Sequence, residues 1–188
     1  MALLGDGFLA MWMDIDQDFE DAFLIWNTFE HMPERLGVTG FLSGRRYLRV
    51  DGETHRYFTL YEATSFGVFT SDAYLERLDN PTMLSKRISP FVRNFRRAIC
   101  RTVYSDGMGK GGHIATVRFT PKARYSPSSY ASIGDRLLDL DGVVAVHIGV
   151  ADVEATDVET IERSSVSVMS LPHSLGALCQ VPIRSRFC

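Results

Sequence analysis

The residues best suited to chemistry lie in a predicted helix just before Pro33. Glu30, His31 and Glu34 follow Asn27 at distances of three, four and seven residues, so a helix places them in one polar stripe. An imidazole titrates near neutral pH and suits proton transfer, and a nearby carboxylate can fix its tautomer. The pattern predicts His31 as a catalytic general acid/base, with Asn27 and Glu30 contacting the ligand. The alternative is that His31 hydrogen-bonds locally and secures the turn into the next strand.

Predicted strands add phenol, guanidinium and other polar groups to this site. Alternation along each strand gives three sets of residues that share a face: Trp12 and Asp14; Ser43, Arg45, Tyr47 and Arg49; and His55, Tyr57, Thr59 and Tyr61. Such groups can hold the carboxylate, enolate or phenolate of an aromatic ligand. We predict that Arg45 and Tyr47 are catalytic and bind the anionic oxygen. Ligand contacts are predicted for Trp12, Asp14, Tyr57 and Tyr61. The alternative is cross-strand tyrosine pairs, with arginine stems covering an apolar sheet.

The elements that must position these residues follow the order β-α-β-β-α-β. Strands are predicted over 8–14, 41–50, 55–62 and 96–104, and helices from Asp18 onward, over 71–78 and over 85–91. The first helix has an apolar stripe at three- and four-residue steps, formed by Phe19, Ala22, Phe23, Trp26 and Phe29. Pro33 should end it near Met32, because the proline ring clashes with the preceding turn. Leu24 and Ile25 lie off the stripe and need a second apolar surface, which a partner subunit could supply.

The chain is therefore predicted to be an α+β protein with a complete ferredoxin-like βαββαβ unit over residues 1–105. Residues 106–112 are predicted as a linker. Their glycine-rich sequence does not predict a phosphate-binding loop, since a strand and not a helix follows. Residues 113–163 are predicted as a partial second ferredoxin-like repeat. No Asp or Glu follows Glu162 in the sequence. Residues 164–188 are predicted as an atypical tail, interpreted as disordered or as altered by a change of reading frame.

Charge is distributed unevenly along the chain. Residues 1–34 carry eight acids and no Lys or Arg, whereas residues 35–101 carry twelve basic residues and six acids. The basic segment could attract an anionic ligand. The alternative is that the two segments pair their charges within one fold.

Composition excludes several classes of protein. The chain has 188 residues, a net charge of −3 and three cysteines without a Cys-x-x-Cys pair. These numbers give no closed disulfide framework and no metal site. No apolar run approaches the roughly 20 residues of a membrane span, and no basic leader precedes the short apolar run over 8–13. We therefore expect a cytoplasmic protein with neither a nucleic-acid nor a membrane partner.

One stretch of sequence is similar to a known family. Glu30-His31-Met32-Pro33-Glu34-Arg35-Leu36, then Gly40-Phe41 and Arg45-Arg46-Tyr47, resembles the dimeric α/β-barrel superfamily, in particular its EthD-like members. Residues 58–62 and 74–82 resemble the third strand and second helix of that family. The resemblance covers residues 8–104 and, more loosely, 113–150.

The resemblance implies a ferredoxin-like sheet with helices on one face and a second sheet against the other, forming a barrel with an internal cleft. Exposed barrel-facing strands would leave a large apolar patch, so a homodimer is expected. Members of the family include cofactor-independent monooxygenases, polyketide cyclases, lactone isomerases and haem-binding or haem-degrading proteins. We expect a cofactor-independent isomerase, cyclase, lyase or monooxygenase that acts on an aromatic or carbonyl-bearing metabolite. The alternative is a non-catalytic protein that binds a small ligand or haem.

Overall fold

Seven strands and six α-helices make up the described part of the chain. The computed structural model describes residues 2–120, 126–157 and 175–181, the last as backbone. The strands of the first half are β1 (Gly7–Ile15), β2 (Phe41–Leu48), β3 (Tyr57–Ala63) and β4 (Val92–Gly107). Its helices are α1 (Glu20–Trp26), α2 (Met32–Leu36), α3 (Asp72–Asp79) and α4 (Met83–Ile88). The predicted β-α-β-β-α-β order is confirmed.

Local signals in the sequence account for the helix boundaries after β3. The Ser71 and Thr82 hydroxyls cap α3 and α4, each accepting a hydrogen bond from the backbone N–H three residues later. Pro81 has no N–H to donate and separates the two helices. Three single turns of 3-10 helix, at Gln17–Phe19, Phe66–Thr70 and Ser89–Phe91, complete the first half.

The prediction that Pro33 ends the first helix is wrong. Asn27–His31 forms a π-helical turn in which the N–H of Met32 donates to the carbonyl of Asn27, and α2 then continues to Leu36. Pro33 lies in the first turn of α2, where a proline is tolerated. A π turn holds more residues than an α turn, and it changes which side chains face inward. Phe29, predicted in the core stripe, is 78% exposed, while Asn27 and His31 are buried.

The second half consists of β5 (His113–Phe119), α5 (Pro127–Leu138), β6 (Ala145–Ala151), α6 (Val153–Asp157) and β7 (Leu175–Val181). β7 lies inside the predicted atypical tail, and its backbone pairs antiparallel with both β5 and β6. β7 therefore adds a third strand to the second half, inside the segment predicted as a tail. The rest of the tail, 164–174 and 182–188, lies outside the described residues. The predicted division at 105, 112 and 163 stays a prediction, although β4 runs past 105.

The seven strands form one sheet in the order β2-β3-β1-β4-β6-β7-β5. β4 joins the halves, since it pairs with β1 through Arg101 and with β6 from Cys100 onward. β1 and β5 lie four places apart in this order, yet the Trp12 indole Nε1–H donates to the Thr116 hydroxyl at 3.0 Å. The sheet therefore curls until β5 faces β1.

This curl gives the sheet two differently covered faces. The helices pack against one face, whose strands contribute Leu9, Met11, Met13, Tyr57, Tyr61 and Ile99. The opposite face carries Phe8, Ala10, Trp12, Phe58, Leu60, Ala98 and Cys100, and Ile114 and Ala151 of the second half pack against it. The apolar patch that was expected to require a second subunit is thus partly covered by the chain itself. Within the described ranges, no helix has the length and apolar character needed to cross a membrane.

The acidic and basic segments pair with each other. Glu20 bonds Arg56 at 2.6 Å, Asp16 bonds Arg93 at 2.6 Å, and Glu34 lies 3.6 Å from Arg77. These contacts support the interpretation that the charges of the two segments pair within one fold.

Candidate functional site

A cavity of about 70 Å³ lies between the helices and the helix-covered face of the sheet. The helical segments and β1, β3 and β4 contribute its walls. Its lining residues are Leu9, Met11, Met13, Trp26, Asn27, His31, Arg35, Tyr61, Tyr74, Leu78, Ser89, Val92, Phe95 and Arg97. The walls are mostly apolar with a few polar groups, as is typical of a small-ligand site. Asn27, His31 and Tyr61 of the predicted site line this cavity.

His31 enters the cavity because of the π turn. The residue is 8% exposed, and its ring centroid lies 4.4 Å from that of Trp26. Burial, together with the nearby charge of Arg35, holds the pKa of His31 well below its ordinary value. The imidazole is therefore neutral at pH 7 and has a nitrogen able to accept a proton.

Two buried arginines in the cavity wall were not predicted. Arg35 and Arg97 are each 4% exposed, and the described residues that line the cavity include no Asp or Glu. Arg35 follows His31 by four residues, one helical turn, as His31 follows Asn27. Arg97 lies opposite Met11 in the sheet, on the helix-covered face. The four-residue spacing would have identified Arg35, whereas the position of Arg97 depends on the register of β4.

Asn27 is held in place by Arg46. The Arg46 guanidinium donates to the amide oxygen of Asn27 and, at 3.1 Å, to the hydroxyl of Thr28. Arg46 pairs with Thr59 in the sheet and lies on the helix-covered face. The arginine that faces the helices is therefore Arg46 and not Arg45.

Arg45, Tyr47 and Trp12 lie on the opposite face of the sheet from His31. Arg45 pairs with Leu60, and Tyr47 pairs with Phe58, both of which belong to the other core cluster. Trp12 also pairs with Phe58. The structure therefore does not bring Arg45, Tyr47 and Trp12 together with His31. The cause is register, since odd-numbered residues of β2 share a face with even-numbered residues of β3.

The other predicted ligand contacts hold the fold together. Asp14 accepts hydrogen bonds from the backbone N–H groups of His55 and Arg56 and from the Asn94 amide. These bonds outweigh the opposing effect of burial and lower the pKa of Asp14. Glu30 accepts a bond from the Thr82 hydroxyl, away from His31.

Tyr57 also makes a structural contact. Its hydroxyl donates to Glu20, and burial followed by this bond raises the pKa of Tyr57. Among the described residues, no group of three or more His, Cys, Asp or Glu side chains is arranged to hold a metal ion.

Comparison with known proteins shows the fold. No family model matches the sequence, and no curated protein matches it. A solved structure of an anthrone oxidase-like protein is similar with a TM-score of 0.58 and 10% identity, over 95% of this chain and 73% of its own. A candidate monooxygenase from Fusobacterium nucleatum subsp. nucleatum gives a TM-score of 0.49 and 12% identity, over 94% and 76%. The ferredoxin-like α+β fold is confirmed; the EthD-like assignment stays a prediction.

Proposed function

We propose that this chain is a small-molecule enzyme that removes a proton from an aromatic or carbonyl-bearing metabolite in the helix–sheet cavity. The observation that carries the proposal is the buried neutral imidazole of His31 in a cavity that two buried arginines, Arg35 and Arg97, also line. A neutral imidazole accepts a proton, whereas guanidinium groups stay charged. The enolate or phenolate left behind is stabilised by positive charge in a site of low dielectric constant.

The reaction type we favour is oxygenation, because one protein of similar fold is named an anthrone oxidase-like protein. An anthrone has an acidic CH₂ group between two aromatic rings. After His31 accepts one of its protons, the carbanion bonds O₂ to give a peroxide. Loss of water from the protonated peroxide leaves a second ketone. One oxygen atom stays in the product and the other leaves as water, so the reaction consumes no external reductant.

The size of the cavity limits what it can hold as it stands. About 70 Å³ is roughly half of the 150 Å³ that accommodates a benzene molecule in an engineered cavity. The described geometry fits the reacting end of a ligand, and admission of whole rings requires lining side chains to move. Met11 and Met13 line the cavity, and unbranched methionine side chains adapt readily to such changes.

The proposal is tested by measuring the oxidation of anthrone by O₂. The readouts are oxygen uptake and the absorbance of the anthraquinone product. The wild-type protein should exceed the rate in buffer, and His31→Gln should lose on the order of 10²-fold or more of that acceleration. Arg35→Gln should also lose turnover. Arg136→Gln, an exposed position on α5, is the matched arginine control and should keep it. Circular dichroism of each variant checks the fold. Equal turnover in the wild type and His31→Gln, or no acceleration by the wild type, would contradict the proposal.

The alternative function is non-catalytic binding of a small ligand. Calorimetric binding of anthrone by the wild type without turnover would support it. A porphyrin is larger still than an anthrone, which itself requires lining side chains of the cavity of about 70 Å³ to move, and we derive no haem chemistry.

We also infer a homodimer and a cytoplasmic location. The outer surface of α1 supports the dimer, since Ile25 is 59% exposed, in keeping with the interpretation that a partner subunit covers it. The cytoplasmic location rests on the sequence alone.

A further inference from the structure

A second cleft lies on the other face of the sheet, where the edge strands β2 and β5 approach each other. Its volume is about 720 Å³, within the range of small-ligand sites. Residues from the end of β2, the following loop, β1, β3 and β5 line it: Trp12, Arg46, Tyr47, Leu48, Arg49, Val50, Asp51, Thr54, His55, Phe58, Gly112, His113, Ile114, Thr116, Val117 and Arg118. The helix–sheet cavity shares none of these residues.

Three aromatic rings form one wall of the cleft. The ring centroids of Trp12 and Phe58 lie 5.1 Å apart, and those of Tyr47 and Phe58 lie 6.0 Å apart. The three residues neighbour one another across β1, β3 and β2. Such a surface accepts the flat face or edge of an aromatic ligand.

The opposite wall carries positive charge. The Arg118 guanidinium carbon lies 4.5 Å from the centroid of the Trp12 ring, and the Trp12–Thr116 hydrogen bond fixes the two walls relative to each other. Arg49 also lines the cleft, and Asp51 is the one acid among its described lining residues. The Arg46 guanidinium does not add to this charge, because it lies on the helix-covered face with Asn27. Burial and then the charge of Arg96 lower the pKa of Arg118, so the Arg118 guanidinium lies near a second positive charge. The field in the cleft thus favours an anion.

Polar atoms in the cleft have unused hydrogen-bonding capacity. Tyr47 Oη, His55 Nε2 and Arg118 Nη1 are buried and have no hydrogen-bond partner among the residues that the structure describes. Buried polar atoms are normally paired. A tyrosine hydroxyl and a guanidinium N–H both donate to a carboxylate oxygen.

We propose that this cleft binds a small planar aromatic anion, such as an aromatic carboxylate. The carboxylate accepts hydrogen bonds from Arg118 Nη1 and Tyr47 Oη, and the ring lies against Tyr47 and Phe58. Trp12 and Tyr47, two of the residues of the predicted site that lie away from His31, line this cleft. The proposal is independent of the reaction in the helix–sheet cavity.

Isothermal titration calorimetry with 2-naphthoate and its uncharged analogue 2-naphthamide tests the proposal. The wild-type protein should bind 2-naphthoate at least tenfold more tightly than 2-naphthamide, because only the carboxylate pairs with Arg118. Arg118→Gln and Tyr47→Phe should each weaken 2-naphthoate binding, the first by tenfold or more. Tyr47→Phe keeps the ring and removes only the hydroxyl, so it reports on the site even where Arg118→Gln unfolds. Arg136→Gln should bind like the wild type.

Other outcomes would overturn the proposal. Equal affinity for the two probes, or no binding of either probe at millimolar concentration, would contradict the proposed anion site. Loss of 2-naphthoate binding in Arg35→Gln but not in Arg118→Gln would assign the ligand to the helix–sheet cavity. The wild type could instead form a dimer in light scattering that Arg118→Gln dissociates, and bind no 2-naphthoate. That result would show that a second copy of the chain occupies the cleft.

Discussion

At the scale of single residues, the surroundings of a buried histidine determine whether it can act. His31 and His147 are both buried, and desolvation lowers the pKa of each, that of His147 to about 4. His147 Nδ1 is bonded to the Ser105 hydroxyl at 2.8 Å and is outside the helix–sheet cavity, whereas His31 lines that cavity. The two imidazoles share a protonation state at pH 7, and only their surroundings separate a proposed base from a structural group.

The low pKa of His147 predicts that stability falls in mild acid. The unfolded chain binds a proton near pH 6.5 and the folded chain only near pH 4, so acid favours unfolding between these values. Between pH 7 and pH 5, His147 should remove about 2 kcal/mol from the free energy of unfolding. His147→Gln should show a correspondingly smaller loss over this range. Urea denaturation at the two pH values measures both, and identical losses in the variant and the wild type would contradict the assignment.

At the scale of elements, the π turn at Asn27–His31 determines which face of the first helix is buried. With more residues in that turn, Asn27 and His31 lie inward and Phe29 outward. The apolar spacing in the sequence is regular for an α-helix and contains no signal for this change. The helix was predictable, and the polar stripe identified Asn27 and His31, which line the cavity. The exposure of Phe29 was not predictable from the apolar spacing.

Two phenylalanines of this helix test the phase of the π turn. Phe23 is 0% exposed and Phe29 is 78% exposed, although both belong to the apolar stripe of the sequence. Phe23→Ala should lower the free energy of unfolding by about 3–5 kcal/mol. Phe29→Ala should change it by about 0.5 kcal/mol or less. Chemical denaturation of the two variants gives the comparison, and similar losses would place both rings in the core.

The strands show the same division between what the sequence specifies and what it does not. Short apolar runs and alternation located the four strands of the first half, because buried and half-buried strands leave these patterns in the sequence. Which faces coincide depends on pairing between strands, and the irregular register between Phe41 and Ser43 has no signature in either strand alone. For this reason Arg45 and Tyr47 lie on the opposite face of the sheet from Tyr61. β7 was missed because its strand character depends on pairing with β5 and β6, distant in sequence.

At the scale of the whole molecule, one curled sheet creates two separate environments. The first four strands and their helices enclose the cavity with His31, while the curl brings β5 opposite β1 and forms the cationic cleft. The expected second sheet is a continuation of the first. Residues predicted as one site therefore lie on two faces of the sheet.

The inferred homodimer is tested by mass in solution. Sedimentation equilibrium at micromolar concentration should give twice the chain mass of 21.1 kDa. Ile25→Glu places a charge on the exposed apolar surface of α1 and should shift the mass to that of one chain, because burying an unpaired charge is unfavourable. Arg136→Gln, an exposed position on another helix, should leave the mass unchanged. A monomeric wild type would refute the dimer.

Neighbouring residues of β4 serve both environments. Arg97 lines the cavity with His31, while the charge of Arg96 acts on His55 and Arg118 at the cleft. Consecutive residues of a strand move together, so any displacement of this backbone segment on binding at one face changes the position of a guanidinium at the other. Thermodynamic linkage then requires the effect to be reciprocal: if an anion in the cleft alters the affinity of the cavity, occupancy of the cavity alters the affinity of the cleft by the same factor.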